Sequence, residues 1–503
     1  MAGLFPFQGS KTETDVMNEH VASAAQNIIS NTKILENEIA KFKSSEKRKW
    51  MLTGEDYYEG EHAILKHERT FIGRNGALEV AKNLPNNRIL DNQYAKLVDQ
   101  KVNYQLGKPI TLKGENTGYV SALELIFNRN FHRTLKAIGQ DAMNTGLGWL
   151  YPYYDELGNF AIKRIVPYEL IPFWKDSEKT IIEYAIRIYP VVVYEGEFEK
   201  VIEKVEVYSA DGIETFEWFN GKLVPDVMTE PRTYITVEKD EQQLGFNWER
   251  VPLIPFKFNS KMIPLIKRVK SLQDAINTVL SDFQNNMQED ARNTILVIEN
   301  YDGQDLGELR KNLAQFGAIK VRSIDGQRGG VDTLTVEVNS DNYKTVHTLL
   351  KKALIENGRG YDSKDERMGG NPNQMNIQSM YADIELDANG IETEFQASFE
   401  QLLWFINRHL ENTTGVNYDS EKVEIIFNRD VLINEAEVIE NLSKSEYLSE
   451  ETKIEMHPYI TDVEAEIKRK KKEQQEQMDL HDNYSETFEK IGGGGGGSDG
   501  KVS

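Results

Sequence analysis

The chain has 503 residues and sets 59 Lys+Arg against 81 Asp+Glu, a formal net charge of −22. It contains no cysteine, which excludes disulfides, thiolate metal sites and a cysteine nucleophile. A hydrophobic content of 39% with 10% aromatics supports packed cores, and so acidic a field makes any large DNA- or membrane-binding face a local exception.

The longest apolar runs, Thr294–Ile298 and Leu402–Ile406, fall well short of the ~18 residues of a membrane span. Met1-Ala-Gly-Leu-Phe-Pro-Phe lacks a basic region followed by an apolar core, so no signal peptide is expected and the protein reads as soluble and made inside the cell.

From the N-terminus, residues 12–47 read as one helix striped by Val16, Val21, Ala24, Ile28 and Ile29. A short helix follows and ends near Gly60, and Arg74-Asn75-Gly76 signals a turn. Tyr94, Leu97, Val98, Val102 and Leu106 keep helical phase from Asn92 until Gly107-Lys108-Pro109 stops it. From about Trp149 to Phe256 short β-branched and aromatic runs alternate with Leu157-Gly158-Asn159, Asp211-Gly212 and Asn220-Gly221, the pattern of antiparallel hairpins.

Two long helical patterns organise the rest. Leu265, Val269, Leu272, Ile276, Val279, Phe283 and Met287 form one apolar stripe. Ile377, Met380, Ile384, Ala388, Ile391, Phe395, Phe399, Leu402 and Ile406 form a second, longer one, a spine that also offers a face for packing against copies of itself. Between them lies a small insertion: a strand at Ile295–Ile298, a turn at Tyr301-Asp302-Gly303, a helix from Leu306 to Phe316, and strands at Ala318–Val321 and Leu334–Val338. A helix then returns from about Asp341 and breaks at Asn357-Gly358-Arg359-Gly360. A polar loop runs on to Gly369-Gly370, and Asn371-Pro372 suits the start of the spine helix. Gly390 is expected to weaken or bend that helix. Val423–Phe427 reads as a strand, residues 434–478 as helices with a basic run at 468–472, and Gly492–Gly497 as flexible coil.

Motifs for chemistry are missing. The sequence has no HExxH, no P-loop and no Gly-x-Ser-x-Gly elbow. His62 and His67, five apart, turn away from each other on a helix, so no metal site and no cofactor is expected. Gly358-Arg359-Gly360 follows a helix and not a strand, which fails the test for dinucleotide binding. Carboxylate pairs such as Glu203 and Glu206 read as a solvated acidic face. One stretch departs from the acidic background: Lys344, Lys351, Lys352, Arg359, Lys364 and Arg367 lie close in sequence, interleaved with Glu356, Asp362, Asp365 and Glu366. An ordinary solvated helix face and loop explains this stretch, as does a set of contacts to nucleic-acid phosphates.

A set of ordered segments points further: Tyr57–Ile64, Asn87-Arg88-Ile89, Leu97–Val102, Tyr104–Ile110, Val251–Phe256, Leu272–Asn277, Ser281-Asp282, Tyr301-Asp302-Gly303, Gly330–Leu334 and Met380–Ala388. In these the chain resembles the portal proteins of tailed double-stranded DNA bacteriophages, in particular those of long-tailed phages of Gram-positive hosts. The resemblance spans roughly residues 50 to 430 and implies a non-enzymatic protein of multidomain α+β fold, assembling into a ring, usually a dodecamer, at one vertex of the capsid. Double-stranded DNA would pass through the channel without sequence specificity, during packaging and again at ejection. The implied parts are a wing (1–260), a stem helix (261–292), a clip (293–339), a return stem helix (340–356) and a tunnel loop (357–372). The long spine helix with a wing strand (373–430), a crown (431–480) and a flexible tail (481–503) complete them. The implied partners are the large terminase subunit, the head-completion adaptor, and the major capsid and scaffolding proteins, with no membrane. The implied location is the virion, after assembly in the host cytoplasm. Lys344, Lys351, Lys352, Arg359, Lys364 and Arg367 become candidates for channel-side DNA contacts, and Gly358, Gly360, Gly369 and Gly370 for hinges of the loop. The rivals are an oligomeric scaffold or pore-like assembly that handles no DNA, and a carboxylate hydrolase in the β-rich region.

Overall fold

The structure is a computed structural model. It describes residues 32–72, 76–82, 84–176, 178–196, 198–226, 231–239, 242–290, 294–298, 321–324, 327–328, 331–335, 340–362, 374–429, 435–460, 463 and 465–476. The chain divides into two units, the first comprising residues up to 362 together with 383–430, the second 363–382 with 431–503.

The first unit opens with helices α1 (Thr32–Lys43) and α2 (Glu46–Glu59), where the sequence pattern predicts a single helix over 12–47. Ser45 divides them: its extended backbone leaves helical geometry, and its hydroxyl accepts from Arg48 N, so a new helix starts there. Residues 1–31, and with them most of the expected stripe, lie outside the described residues. Strands β1 (Thr70–Ile72) and β2 (Leu78–Val80) pair antiparallel on either side of the expected turn. Helix α3 (Gln93–Leu106) starts as expected at Asn92, whose side chain accepts from Ala95 N. Strand β3 (Thr111–Gly114) leads to helices α4 (Thr117–Ile126) and α5 (Arg129–Thr145). Both add to the expected elements; Phe131, Leu135, Ile138 and Ala142 form the buried stripe of α5.

Strands β4 (Leu147–Tyr154), β5 (Phe160–Ile165), β6 (Leu170–Trp174), β7 (Ile182–Glu195), β8 (Phe198–Ser209), β9 (Gly212–Phe219), β10 (Lys222–Pro225), β11 (Ile235–Lys239), β12 (Gln242–Phe246) and β13 (Ile254–Lys257) follow. They pair antiparallel in the orders β13-β4-β5, β10-β9-β8-β7-β6 and β11-β12. The hairpin signals mark real turns: Asn220 and Gly221, both with positive φ, make the tight turn between β9 and β10.

Helix α6 (Ile266–Asp290) is the first long pattern. In the insertion β14 (Thr294–Ile298) pairs with β17 (Val331–Thr335), and β15 (Ser323–Ile324) with β16 (Gln327–Arg328). The register pairs Ile298 with Val331 and Ile295 with Leu334; residues 336–338 of the expected strand Leu334–Val338 and residues 318–320 of the expected strand Ala318–Val321 lie outside the described residues. The expected turn at 301–303 and helix at 306–316 lie outside the described residues. Helix α7 (Ser340–Asn357) returns, α8 (Gln374–Thr414) runs 41 residues unbroken through Gly390, and β18 (Val423–Ile426) pairs with β3. At ~1.5 Å per residue α8 is a rod about 60 Å long.

Phe256 meets Phe395 and Phe399 of α8 edge-on, at centroid distances of 5.0 and 5.6 Å, inside one large core. A second core forms where Leu35 and Ile39 of α1 cover Ile186, Ile188, Val205 and Val207 of the five-stranded sheet.

The buried stripe of α6 is only partly the apolar one. Val269 and Ile276 are buried, Met287 is exposed, and Gln273, Asn277, Ser281 and Asn285 are buried in their own row. These four polar side chains, one helical turn apart, take the backbone N–H groups of Tyr94, Asp91, Ile89 and Asn87 at 2.9, 3.0, 2.9 and 2.7 Å. From Asn87 through Ile89 to Asp91 the steps match, since four helical residues rise ~6.0 Å and two extended ones ~6.6 Å; the fourth N–H, that of Tyr94, lies three residues further on, in the first turn of α3. Asn277 also donates from Nδ2 to His62 Nδ1 at 2.9 Å, which leaves His62 Nε2–H to donate to Tyr57 O at 2.8 Å. His62 is therefore a neutral imidazole, and burial lowers its pKa.

In the second unit helices α9 (Glu435–Lys444) and α10 (Glu450–Glu455) are followed by helical residues 465–476. Helix α9 buries none of its residues, and Lys470 is paired with Glu450.

Asn277→Ala strands two N–H donors and the His62 acceptor, and chemical denaturation should show a loss of about 2–3 kcal/mol. The wild type should lose stability as pH falls below ~6.5, because the unfolded His62 then takes up a proton that the folded one refuses; His62→Gln should flatten that slope. Gly390 is exposed, lies in mid-helix and has open space where an alanine methyl would stand. Gly390→Ala should therefore raise stability by ~0.5–1 kcal/mol in the same assay.

Candidate functional site

Helices α6 and α7 pack as an antiparallel pair. At one end Phe283 and Tyr343 meet with ring centroids 5.1 Å apart, and Asn286 Nδ2 donates to Tyr343 Oη at 2.7 Å. At the other end Arg268 of α6 and Arg359, just past α7, converge on Asp387 of α8. The turn after α7, which leads into the expected loop, is therefore fixed by tertiary contacts.

Helix α3 grips that turn with three residues on one face, Leu97, Gln100 and Lys101. Gln100 donates from Nε2 to Tyr361 O at 2.8 Å and accepts from Tyr361 N at 3.0 Å, so its amide pairs with the backbone as a strand would. Lys101 Nζ donates to Arg359 O at 2.9 Å. Leu97 fills the space beside two glycines: a Cβ on Gly358 would stand 2.3 Å from its Cδ2, and one on Gly360 2.5 Å from its Cδ1. Arg359 between them takes the left-handed conformation, φ 51°.

Asp387 is the charge centre. Its Oδ2 accepts from Lys101 Nζ at 2.9 Å and Arg268 NH1 at 2.8 Å, and its Oδ1 from Arg359 NH1 at 2.9 Å. Burial by itself would raise the Asp387 pKa, but the three cations hold it below the usual carboxylate value. Lys101 is fully buried, which brings its pKa down to about 8, the Asp387 charge opposing that shift. One carboxylate thus ties α3, α6, the end of α7 and α8 together. Nearby, Arg429 pairs with Glu385 and with Glu392, and Tyr104 Oη donates to Glu385 at 2.9 Å.

Of the candidate cations, Lys351 bonds Asp91 Oδ2 at 2.9 Å, with His347 Nε2 3.6 Å from the same atom. Arg359 belongs to the Asp387 cluster, whereas Lys344 and Lys352 stand exposed on α7. Lys364, Arg367, Gly369 and Gly370 lie outside the described residues. Gly358 and Gly360 are buried, and their geometry gives them a steric role at a fixed joint, distinct from the backbone freedom that a hinge uses. The sequence reading missed Lys101, Arg268 and Asp387, three charges far apart in the chain, though Leu97–Val102 and Met380–Ala388 had marked two of the segments that carry them.

Glu203 and Glu206, expected on a solvated acidic face, are both paired, and Glu206 is buried. Glu203 accepts from Lys43 Nζ at 2.7 Å, and Glu206 from Arg232 NH2 at 2.6 Å and Tyr208 Oη at 2.5 Å. Among the described residues no group of His, Asp and Glu has the arrangement of a metal site, and no helix is long and apolar enough to cross a membrane.

A family model described as "Phage portal protein, SPP1 Gp6-like" matches residues 40–480. The portal protein of Bacillus phage SPP1 is 27% identical over 490 residues, covering 96% of this chain and 94% of the relative. The portal protein of Clostridium phage phiCD119 is 27% identical over 458 residues, covering 88% of this chain and 97% of the relative. A solved structure titled "Neck of native GTA particle computed with C12 symmetry" aligns with 73% of this chain and 89% of its own at 10% identity and a TM-score of 0.36, too distant to carry an argument. With the match running from α1 through the antiparallel helix pair and α8 to the helices after 430, the chain belongs to the SPP1 Gp6-like family of phage portal proteins, structural components of the virion.

Proposed function

We propose that this portal protein acts as a ring, a dodecamer in the virion, at one vertex of the capsid. Double-stranded DNA passes through its channel without sequence specificity at packaging and at ejection. The observation that carries the reading is the family match over residues 40–480. In this reading α6 and α7 are the stem, the strands between them the clip, residues 357–372 the tunnel loop, and the β-rich region with α8 the wing. The crown is 431–480. The clip meets the large terminase subunit during filling and the head-completion adaptor afterwards; wing and stem meet the major capsid and scaffolding proteins. The ring acts without catalysing a reaction, is assembled in the host cytoplasm and ends at the portal vertex.

The clamp on residues 358–361 supports a division of labour in the loop. Its root is held by Leu97, Gln100, Lys101 and Asp387, and Gly369 and Gly370 are the proposed hinges of the loop. Lys344 and Lys352 remain the channel-side contacts on α7, and Lys364 and Arg367 those in the loop. Lys351 and Arg359 contribute chiefly by holding the stem in place.

Electron microscopy of the purified full-length protein tests the ring: class averages along the symmetry axis should show a hole wide enough for a DNA duplex, and monomers or open filaments at every salt concentration would refute it. Asp387→Asn leaves three cations facing one another and should cost about 3–5 kcal/mol, whereas Lys101→Met, which leaves Asp387 neutralised by two guanidinium groups, should cost roughly 1–2 kcal/mol in chemical denaturation. Replacing both Gly369 and Gly370 by Val should leave rings intact and lower the yield of filled heads; an unchanged yield would remove the hinge assignment.

A further inference from the structure

Two hairpins of the first unit present apolar faces that nothing described covers. The β1-β2 pair is a sheet to itself. Ile72 lies opposite Leu78, and Val80 stands on the same face opposite Thr70; Ile72 is 75% and Leu78 73% exposed. A lone two-stranded hairpin is marginal in water, and an apolar face on it calls for a partner. The second is the outer half of β7-β8. Helix α1 covers the inner half of that face through Leu35 and Ile39, and its end is marked by the Lys43–Glu203 pair. Beyond that pair the face continues through Val192 and Val201, directly opposite each other, to Tyr194, 71% exposed and opposite Glu199, while Phe198 at the tip, 80% exposed, stands on the other face.

Their charges are opposite. The sequence around the first hairpin has Lys66, Arg69, Arg74 and Lys82 against Glu68 and Glu79, a basic exception in a chain of net charge −22. The tip of the second reads Glu195-Gly-Glu-Phe-Glu-Lys200 and is acidic. A ring closes through a heterologous contact, which requires two different and complementary patches on the same chain. Resting on the ring reading above, we propose that the β1-β2 hairpin of one copy seats on the outer β7-β8 hairpin of the next. Apolar face meets apolar face, and the basic flank meets the acidic tip.

The test uses two charge-reversed forms of the full-length protein, K66E/K82E and E195K/E199K, measured by light scattering after size exclusion at low salt. Each alone should lose at least tenfold in ring fraction while circular dichroism and Tm stay at the wild-type values. Mixed, they should form rings containing both, because every interface then pairs an acidic hairpin with a basic one. A third form, I72S/L78S, should also fail to assemble, and added salt should not rescue it. Normal rings from any single form would overturn the proposal and assign the patches to a different partner, while the ring reading would stand. A folded mixture that stays monomeric would overturn it as well. A wild type that forms no rings would sink the ring reading and this interface together.

Discussion

Asp387 is the contact on which the arrangement of the first unit's long helices depends. A carboxylate so deeply placed is costly unless its charge is matched and its lone pairs are filled, and three cations from three separate segments do both. The excess positive charge is relieved at the rim, where Arg268 and Arg359 keep part of their surface in water while Lys101 is enclosed. An apolar contact at this place would tolerate sliding. A carboxylate shared by fixed donors does not, and it sets where α6, α7 and α8 stand relative to α3.

The ladder on α6 does the same work along the other dimension. Among the described residues the extended segment from Asn87 to Asp91 pairs with no strand, so its inward N–H groups would be left unpaired when buried. Side chains at Asn277, Ser281 and Asn285 supply the missing acceptors at a spacing that matches extended backbone, and Gln273 takes the N–H of Tyr94 in the first turn of α3. Lys351, reaching Asp91 from α7, fastens the same segment from the neighbouring helix. The helix pair and the segment beside it therefore form one hydrogen-bonded body.

Much of this organisation was legible from periodicity. The helices α3, α6 and α8, the hairpin turns at Gly212 and Gly221 and the strand at Val423 follow from local pattern, which a sequence displays directly. The break at Ser45 depended on a cap, a weaker signal that a continuous polar-apolar pattern can mask. The ladder was hidden for a different reason: hydrophobic periodicity scores a buried Gln or Asn as surface, yet here the polar row is the buried one. The Asp387 cluster was hidden because Lys101, Arg268 and Asp387 are each separated by more than a hundred residues, and no local rule joins them.

Charge gives the fold its functional logic. The cations that proximity in sequence grouped as one DNA-facing set divide in three dimensions: Lys351 and Arg359 are spent on Asp91 and Asp387, and Lys344 and Lys352 stay exposed on α7. Affinity for duplex DNA grows with the number of phosphates neutralised, so a dense basic lining would hold the cargo. A conduit needs the reverse. With −22 on each chain, a ring of such subunits carries a net field that repels phosphate. Two of the six cations that the sequence groups together are thus engaged by carboxylates of the same subunit, which lowers the number free to meet a phosphate on α7 and at its end.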